Sequence, residues 1–332
     1  ISNLATSQVA GLNSTSLSGL TTTQVGALST AQVAAFSTAA LAGLNTTDVT
    51  ALATTQVAAL TAAQVGALAT DQLSALTSTQ ANALTTTALG ALKSTQVAGL
   101  NTTNIASLDG TRLGALSTTV LGALDTTQTE ALTSTQVGLL KTTQLNALSA
   151  TTFADLSTTD IGALTTTQVT GLTATQAERL TSTQVANLTT TQIGALTATN
   201  LATFSTTDLG TLDTTQVGAL TSAQVSRLSN TQIANLSSTQ FAAIASTAVA
   251  GLTSLQLATV PTANLTALST TSINALTTQA LGGVTSTKVA NLPTTQLSGL
   301  KATPFAALST TALGGLTTTP VDSLTTTQVA AM

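Results

Sequence analysis

The side chains able to do acid–base or nucleophilic chemistry are few and regularly placed. Cys, His, Trp and Tyr are absent from the 332 residues. A Cys/His metal site and a His-based catalytic triad are therefore excluded. The remaining candidates are carboxylates, among them Asp48, Asp71, Asp160 and Asp208, and the adjacent pair Glu178 and Arg179. The aspartates mostly follow one position of a repeat instead of clustering. They read as acceptors in the first turn of helices, where the dipole favours negative charge, rather than as catalytic groups. Glu178 and Arg179 read as a solvated surface pair worth little energy. No catalytic, cofactor-binding or metal-binding residue is assigned, and no enzyme activity is expected.

What positions these groups is a ladder. Every eighth residue from Leu4 to Met332 is apolar, 42 positions without insertion or deletion. Thirty-six are Leu, and the others are Phe36, Phe204, Ile244, Val260, Val284 and Met332. Such a period marks a quasi-one-dimensional repeat structure, not a globule built around one site.

With the ladder residue as position 8, a typical octad is Thr21-Thr22-Thr23-Gln24-Val25-Gly26-Ala27-Leu28. Position 1 is usually Ser, Thr, Asn or Asp. Position 4 is most often Gln, as in Gln8, Gln24, Gln32, Gln56 and Gln64. Position 5 is apolar in every complete octad except at Thr129. This is a capping box: the position-1 hydroxyl accepts from the N3 backbone N–H, and the Gln at N3 reaches back to the N-cap N–H. The ladder Leu falls at N′ and position 5 at N4, which makes a hydrophobic staple. Gly at positions 6 and 7 suits either a left-handed helix end or close backbone approach. The spacing predicts one short helix per octad, starting after position 1 and held by its neighbours, since nucleation alone is costly.

The fold class is thus all-α, a solenoid of very short capped helices over residues 1–332. One long helix is disfavoured, because three Thr per octad lower helix propensity and a period of 8 drifts around a 3.6-residue helix. A β-solenoid is the alternative: Thr and Val favour strands, although positions 5 and 8 would face opposite sides without a turn. The helices should break most readily near Thr129, where the staple loses its apolar partner, and at Pro304 and Pro320, which replace the Gln. Pro261 and Pro293 sit at position 1 and should not disturb the register.

Composition narrows function. Seven basic and eleven acidic residues give a net charge of −4. Without a basic patch or stacking aromatics, nucleic-acid binding is not expected. No run of 18 apolar residues exists, so no membrane-inserted helix is expected, and no signal peptide is visible. Sequons such as Asn13-Ser14-Thr15, Asn45-Thr46-Thr47 and Asn101-Thr102-Thr103 arise from the octad pattern, with Asn as N-cap.

A longer period of 48 overlies the octad: Lys93 and Lys141, Arg179 and Arg227, and Asp160 and Asp208 are so spaced. It is compatible with two or with three octads per turn. Two would give about 20 turns and a rod of roughly 160–200 Å, and three a rod about a third shorter. Ile1 occupies position 5 and Met332 position 8, without polar caps. The expectation is that neighbouring copies or further octads cover the ends.

The unit Leu20 to Leu28, Leu-Thr-Thr-Thr-Gln-Val-Gly-Ala-Leu, resembles octapeptide tracts of very long bacterial secreted or surface proteins, often labelled adhesin-like or haemolysin-like. The resemblance runs over the whole chain and implies an extracellular or cell-surface, extended, structural role. It assigns no functional residue. The residues themselves point the same way, because an exterior of Thr, Ser, Gln, Ala and Gly lacks the charge that keeps monomers apart. The expected function is a structural filament, stalk or matrix fibre that self-associates end to end or laterally. The alternative is a Thr-rich face that binds ice or carbohydrate.

Overall fold

The computed structural model describes residues 1–317 and 321–332. Pro320 lies outside them. The residues gather into two compact units, Ile1–Leu164 and Thr165–Met332. Each is an all-α solenoid of one short helix per octad, and no strand occurs among the described residues.

The octad chemistry builds each helix as its sequence dictates. In the helix Thr22–Gly26, Thr21 is an extended N-cap whose hydroxyl accepts from the Gln24 N–H at 3.3 Å. Gln24 Oε1 accepts from the Thr21 N–H at 2.8 Å. Where Ala is the N-cap, the Gln half persists alone, as when Ala53 N–H donates to Gln56 Oε1 at 2.6 Å. Asn13, Asn45 and Asn101 cap through Oδ1, the role expected of the sequon asparagines. After four to six residues the ladder Leu turns extended, as at Leu52 (φ −63°, ψ 133°), and the next box begins.

Within each unit, helices pack on the third helix along the chain. Thr6–Ala10 lies on Thr30–Ala34 and Ser14–Ser18 on Thr38–Leu41, and in the second unit Thr166–Thr170 lies on Thr190–Ala195. A turn is therefore three octads, which resolves the choice that the longer period left open. Positions 5 and 8 fill the interior: Val217, Leu220, Val225, Leu228, Ile233, Leu236 and Phe241 are all buried. Position 4 is buried as well, as at Gln56, Gln136 and Gln224, while positions 1 to 3 face outward.

Three expectations need correction. The helix Thr126–Glu130 is intact around Thr129, which is fully buried and donates its hydroxyl to the Asp125 carbonyl at 2.9 Å. That internal bond satisfies the polar group, and the isosteric methyl still packs. Pro304 also lies inside an intact helix, Ala302–Ala306, because a first-turn N–H needs no intrahelical partner. The irregular segment is instead Ser94–Gly99, a 3₁₀ helix. Glycine, finally, does not close helices in the left-handed region: no residue has positive φ among those described. Where glycine caps a helix end it does so in αR geometry, as at Gly11 (φ −82°, ψ −5°).

Close approach is what glycine provides at position 7. A Cβ built on Gly251 would sit 2.0 Å from the Ser222 carbonyl oxygen of the turn before, and Gly43, Gly283 and Gly315 are alike against Ser14, Ser254 and Ser286. Position 6 varies: a Cβ on Gly122 or Gly138 would sit 2.8 or 2.9 Å from a carbonyl oxygen of the turn after, but one on Gly210 would meet nothing within 4 Å. Gly210→Ala should therefore stabilise by about 0.4–1 kcal/mol through the unfolded chain. Gly251→Ala should destabilise, since backbone must move. Urea melts of the two variants check the opposite signs.

Candidate functional surface

The position-4 side chain does more than cap its own helix. In Gln56, Oε1 takes the Ala53 N–H, while Nε2 donates to Val25 O at 3.0 Å and Leu28 O at 2.7 Å in the turn before. The same pattern holds for Gln80 on Val49 and Leu52, and for Gln224 on Ile193 and Leu196. The partners are a position-5 and a position-8 carbonyl, at the corner where one helix ends and the next begins. Each amide thus satisfies the orphan carbonyls of a helix end in the neighbouring turn. Donors point toward the preceding turn and acceptors toward the following one, so the stack is polar.

The residues that replace Gln test this reading. Asn104, Asn200 and Asn264 are too short to do both tasks and keep the donor. Their Nδ2 atoms bond the ladder carbonyls of Leu76, Leu172 and Leu236 at 2.8–2.9 Å. Arg112 and Lys288 cannot accept at all. Arg112 Nε donates to Leu84 O at 3.2 Å, and its guanidinium pairs with Asp109. Arg112 N–H and then its guanidinium hold the Asp109 carboxyl below the usual carboxylate range, against desolvation. Lys288 Nζ donates to Leu257 O at 2.7 Å and Ala258 O at 2.5 Å. Pro293 shows the converse loss. It has no N–H, and the Gln296 Oε1 three residues on is buried without a partner.

Burial pulls the Lys288 ammonium below its usual range. Between that lowered value and the unfolded value near 10.5, the unfolded chain binds more protons than the folded one. Stability should therefore rise with pH through this window. Lys288→Gln should be more stable at pH 7 and lose that rise, which urea melts at pH 8 to 11 would read.

The sequence-singled acids are dispersed over the solenoid. Asp48, Asp160 and Asp208 sit at position 4, and each accepts the N-cap N–H as expected. Asp71 sits at position 3 and accepts from Gln72 N–H at 2.9 Å. Burial would raise the Asp208 carboxyl, but the Ser182 and Ser205 hydroxyls and the Ser205 N–H bring it below its ordinary value. Glu178 and Arg179 are exposed, and the ion pair found among the described residues is Arg112–Asp109 instead. No group of three or more acids there could hold a metal ion by itself. No described helix is long and apolar enough to cross a membrane.

The outer surface is hydroxyl-rich. On one face of the second unit, position 3 places Thr167, Thr191, Thr215 and Thr239 outward, one from each of four successive turns. Leu139 and Leu255 are large apolar side chains left exposed.

Buried ladder, inter-turn amides and a weakly charged exterior together define a tandem-repeat helical solenoid. A family model described as the ALTTAQ repeat matches residues 1–38, 30–62, 41–78 and 113–142, so the chain is similar to that family there. The motif spans the corner, as in Ala27-Leu28-Ser29-Thr30-Ala31-Gln32: a ladder residue followed by the box and the bridging amide. No curated protein matches the chain.

Proposed function

We propose that the chain is a structural repeat tract that assembles into an extracellular filament, stalk or matrix fibre, in the manner of bacterial surface proteins of adhesin-like type. The observation that carries this reading is the polarity of the turns. Each turn offers amide donors to one neighbour and carbonyl acceptors to the other, so turns add without any new kind of contact. The exterior supports it: 18 charged residues in 332, from seven basic and eleven acidic, leave little repulsion between copies. The octapeptide resemblance supports the extracellular location. Electron microscopy and light scattering over a concentration series provide the test. Filaments or end-to-end particles are expected, and a chain that stays monomeric at high concentration would overturn the reading.

A second reading, a face for ice or carbohydrate, is favoured by the Thr167–Thr191–Thr215–Thr239 column. Thermal hysteresis that vanishes when these four are replaced by Ala would select it over a plain filament.

A further inference from the structure

Ala280 stands at a corner of the second unit where both halves of the position-4 bonding are missing. Where Gln occupies that position, one carboxamide fills the corner. Gln216 Oε1 takes the Asp213 N–H at 2.8 Å, and its Nε2 donates to Ala186 O at 3.1 Å and Leu188 O at 2.6 Å. The same register around Ala280 designates the Thr277 N–H as donor and the Ala250 and Leu252 carbonyls as acceptors. Among the described residues, nothing accepts from that N–H and nothing donates to those two carbonyls. The helix Thr278–Leu281 forms all the same, because the Thr277 hydroxyl caps it by accepting the Ala280 N–H at 3.1 Å.

A cleft of about 440 Å³ lies at this corner, and Thr277, Ala280, Ala250 and Leu252 all line it. Its wall also carries the hydroxyls of Ser222 and Ser254, and no charged residue lines it. One small cleft thus brings together an unmet backbone donor and two unmet backbone acceptors, in the register that a carboxamide meets elsewhere in the same unit.

We propose that this cleft binds a primary carboxamide, the side-chain group of Asn and Gln, supplied by a second copy or by another polypeptide. Its oxygen would accept the Thr277 N–H. Its NH₂ group would donate to the Ala250 and Leu252 carbonyls, as Gln216 does within its own chain. A group with only one of these functions leaves the other backbone partner unmet, which is costly away from water. An ammonium serves the carbonyls alone, as Lys288 does on Leu257 and Ala258, and there burial works against its charge. This binding does not depend on whether the chain forms filaments.

The chain has no Cys, so a single introduced thiol reports on this corner alone. Gln279, at position 3, is exposed and lines the cleft. The Gln279→Cys variant would be equilibrated with the disulfides of mercaptopropionamide and of a methyl ketone of the same shape, which keeps the oxygen but has no N–H. Mass spectrometry then reads how much mercaptoethanol each mixed disulfide withstands. The amide should withstand about tenfold more than the ketone, since only the amide satisfies the carbonyls. Adding Ala280→Gln supplies the chain's own amide, so far-UV circular dichroism should be unchanged and the preference should disappear. Thr231→Cys places a thiol at position 3 beside Gln232, whose amide already holds Ala202 O and Phe204 O, and should show no preference. Light scattering separates the two sources: a second copy as donor makes Ala280→Gln associate more weakly than wild type, and another polypeptide leaves the two equal. Equal retention of amide and ketone on Gln279→Cys would overturn the proposal. So would a preference that survives Ala280→Gln or recurs with Thr231→Cys.

Discussion

Phe241→Ala should cost about 3–5 kcal/mol of stability, near the top of the range for a core truncation. Phe241 sits at position 5 of the helix Ser238–Ala243 and is fully buried. It belongs to the stapled pair of its octad, with Leu236 behind it. Truncation removes the staple and leaves a cavity that a backbone locked by inter-turn bonds cannot collapse. Leu236→Ala on the ladder should cost about 2–5 kcal/mol for the same reason. Thr214→Ala, at exposed position 2, should stay within about 0.5 kcal/mol. Urea melts followed by far-UV circular dichroism would measure the three. Comparable losses at Phe241 and Thr214 would contradict the assignment of inside and outside.

The local half of the fold was legible because box and staple act within one octad. Thr21, Gln24 and Val25 carry their instructions inside a single repeat, and the structure follows them. The number of octads per turn was not legible, since the longer period of six octads divides into two turns of three or three turns of two. That uncertainty hid the second task of Gln, because its partners in the neighbouring turn have meaning only once a turn is known to be three octads. A signal did exist. Arg112 and Lys288 take the Gln position although neither can accept a hydrogen bond. What they share with Gln and Asn is an N–H donor, and a donor is useless to the box. Thr129 and Pro304 misled in the opposite direction. Each breaks the pattern of residue types, yet each is accommodated within its own helix, Thr129 by its bond to the Asp125 carbonyl and Pro304 by its place in the first turn.

Gln224→Glu isolates that second task, because it preserves size and the acceptor while abolishing the donor. Gln224 is 1% exposed; its Oε1 takes the Thr221 N–H at 2.7 Å, and its Nε2 serves Ile193 O and Leu196 O at 2.8 Å each. An ionised Glu would keep the first bond and turn a charged oxygen against two buried carbonyls. Each orphaned buried group costs about 1–3 kcal/mol, more when charge is involved, so the loss at pH 7 should be on the order of 3–5 kcal/mol. Burial and carbonyl lone pairs should raise this carboxyl in the folded state above its unfolded value near 4.3. The folded chain then binds more protons, and the variant should lose stability relative to wild type as pH rises from about 4.3 toward the raised value. Below that window the protonated acid can donate to one carbonyl and recover much of the deficit. Gln224→Met, with neither donor nor charge, should be destabilised without the pH dependence. Urea melts from pH 3.5 to 8 would separate the two. A Glu variant whose deficit is flat across that range would mean that the inter-turn donor carries no weight in holding one turn to the next.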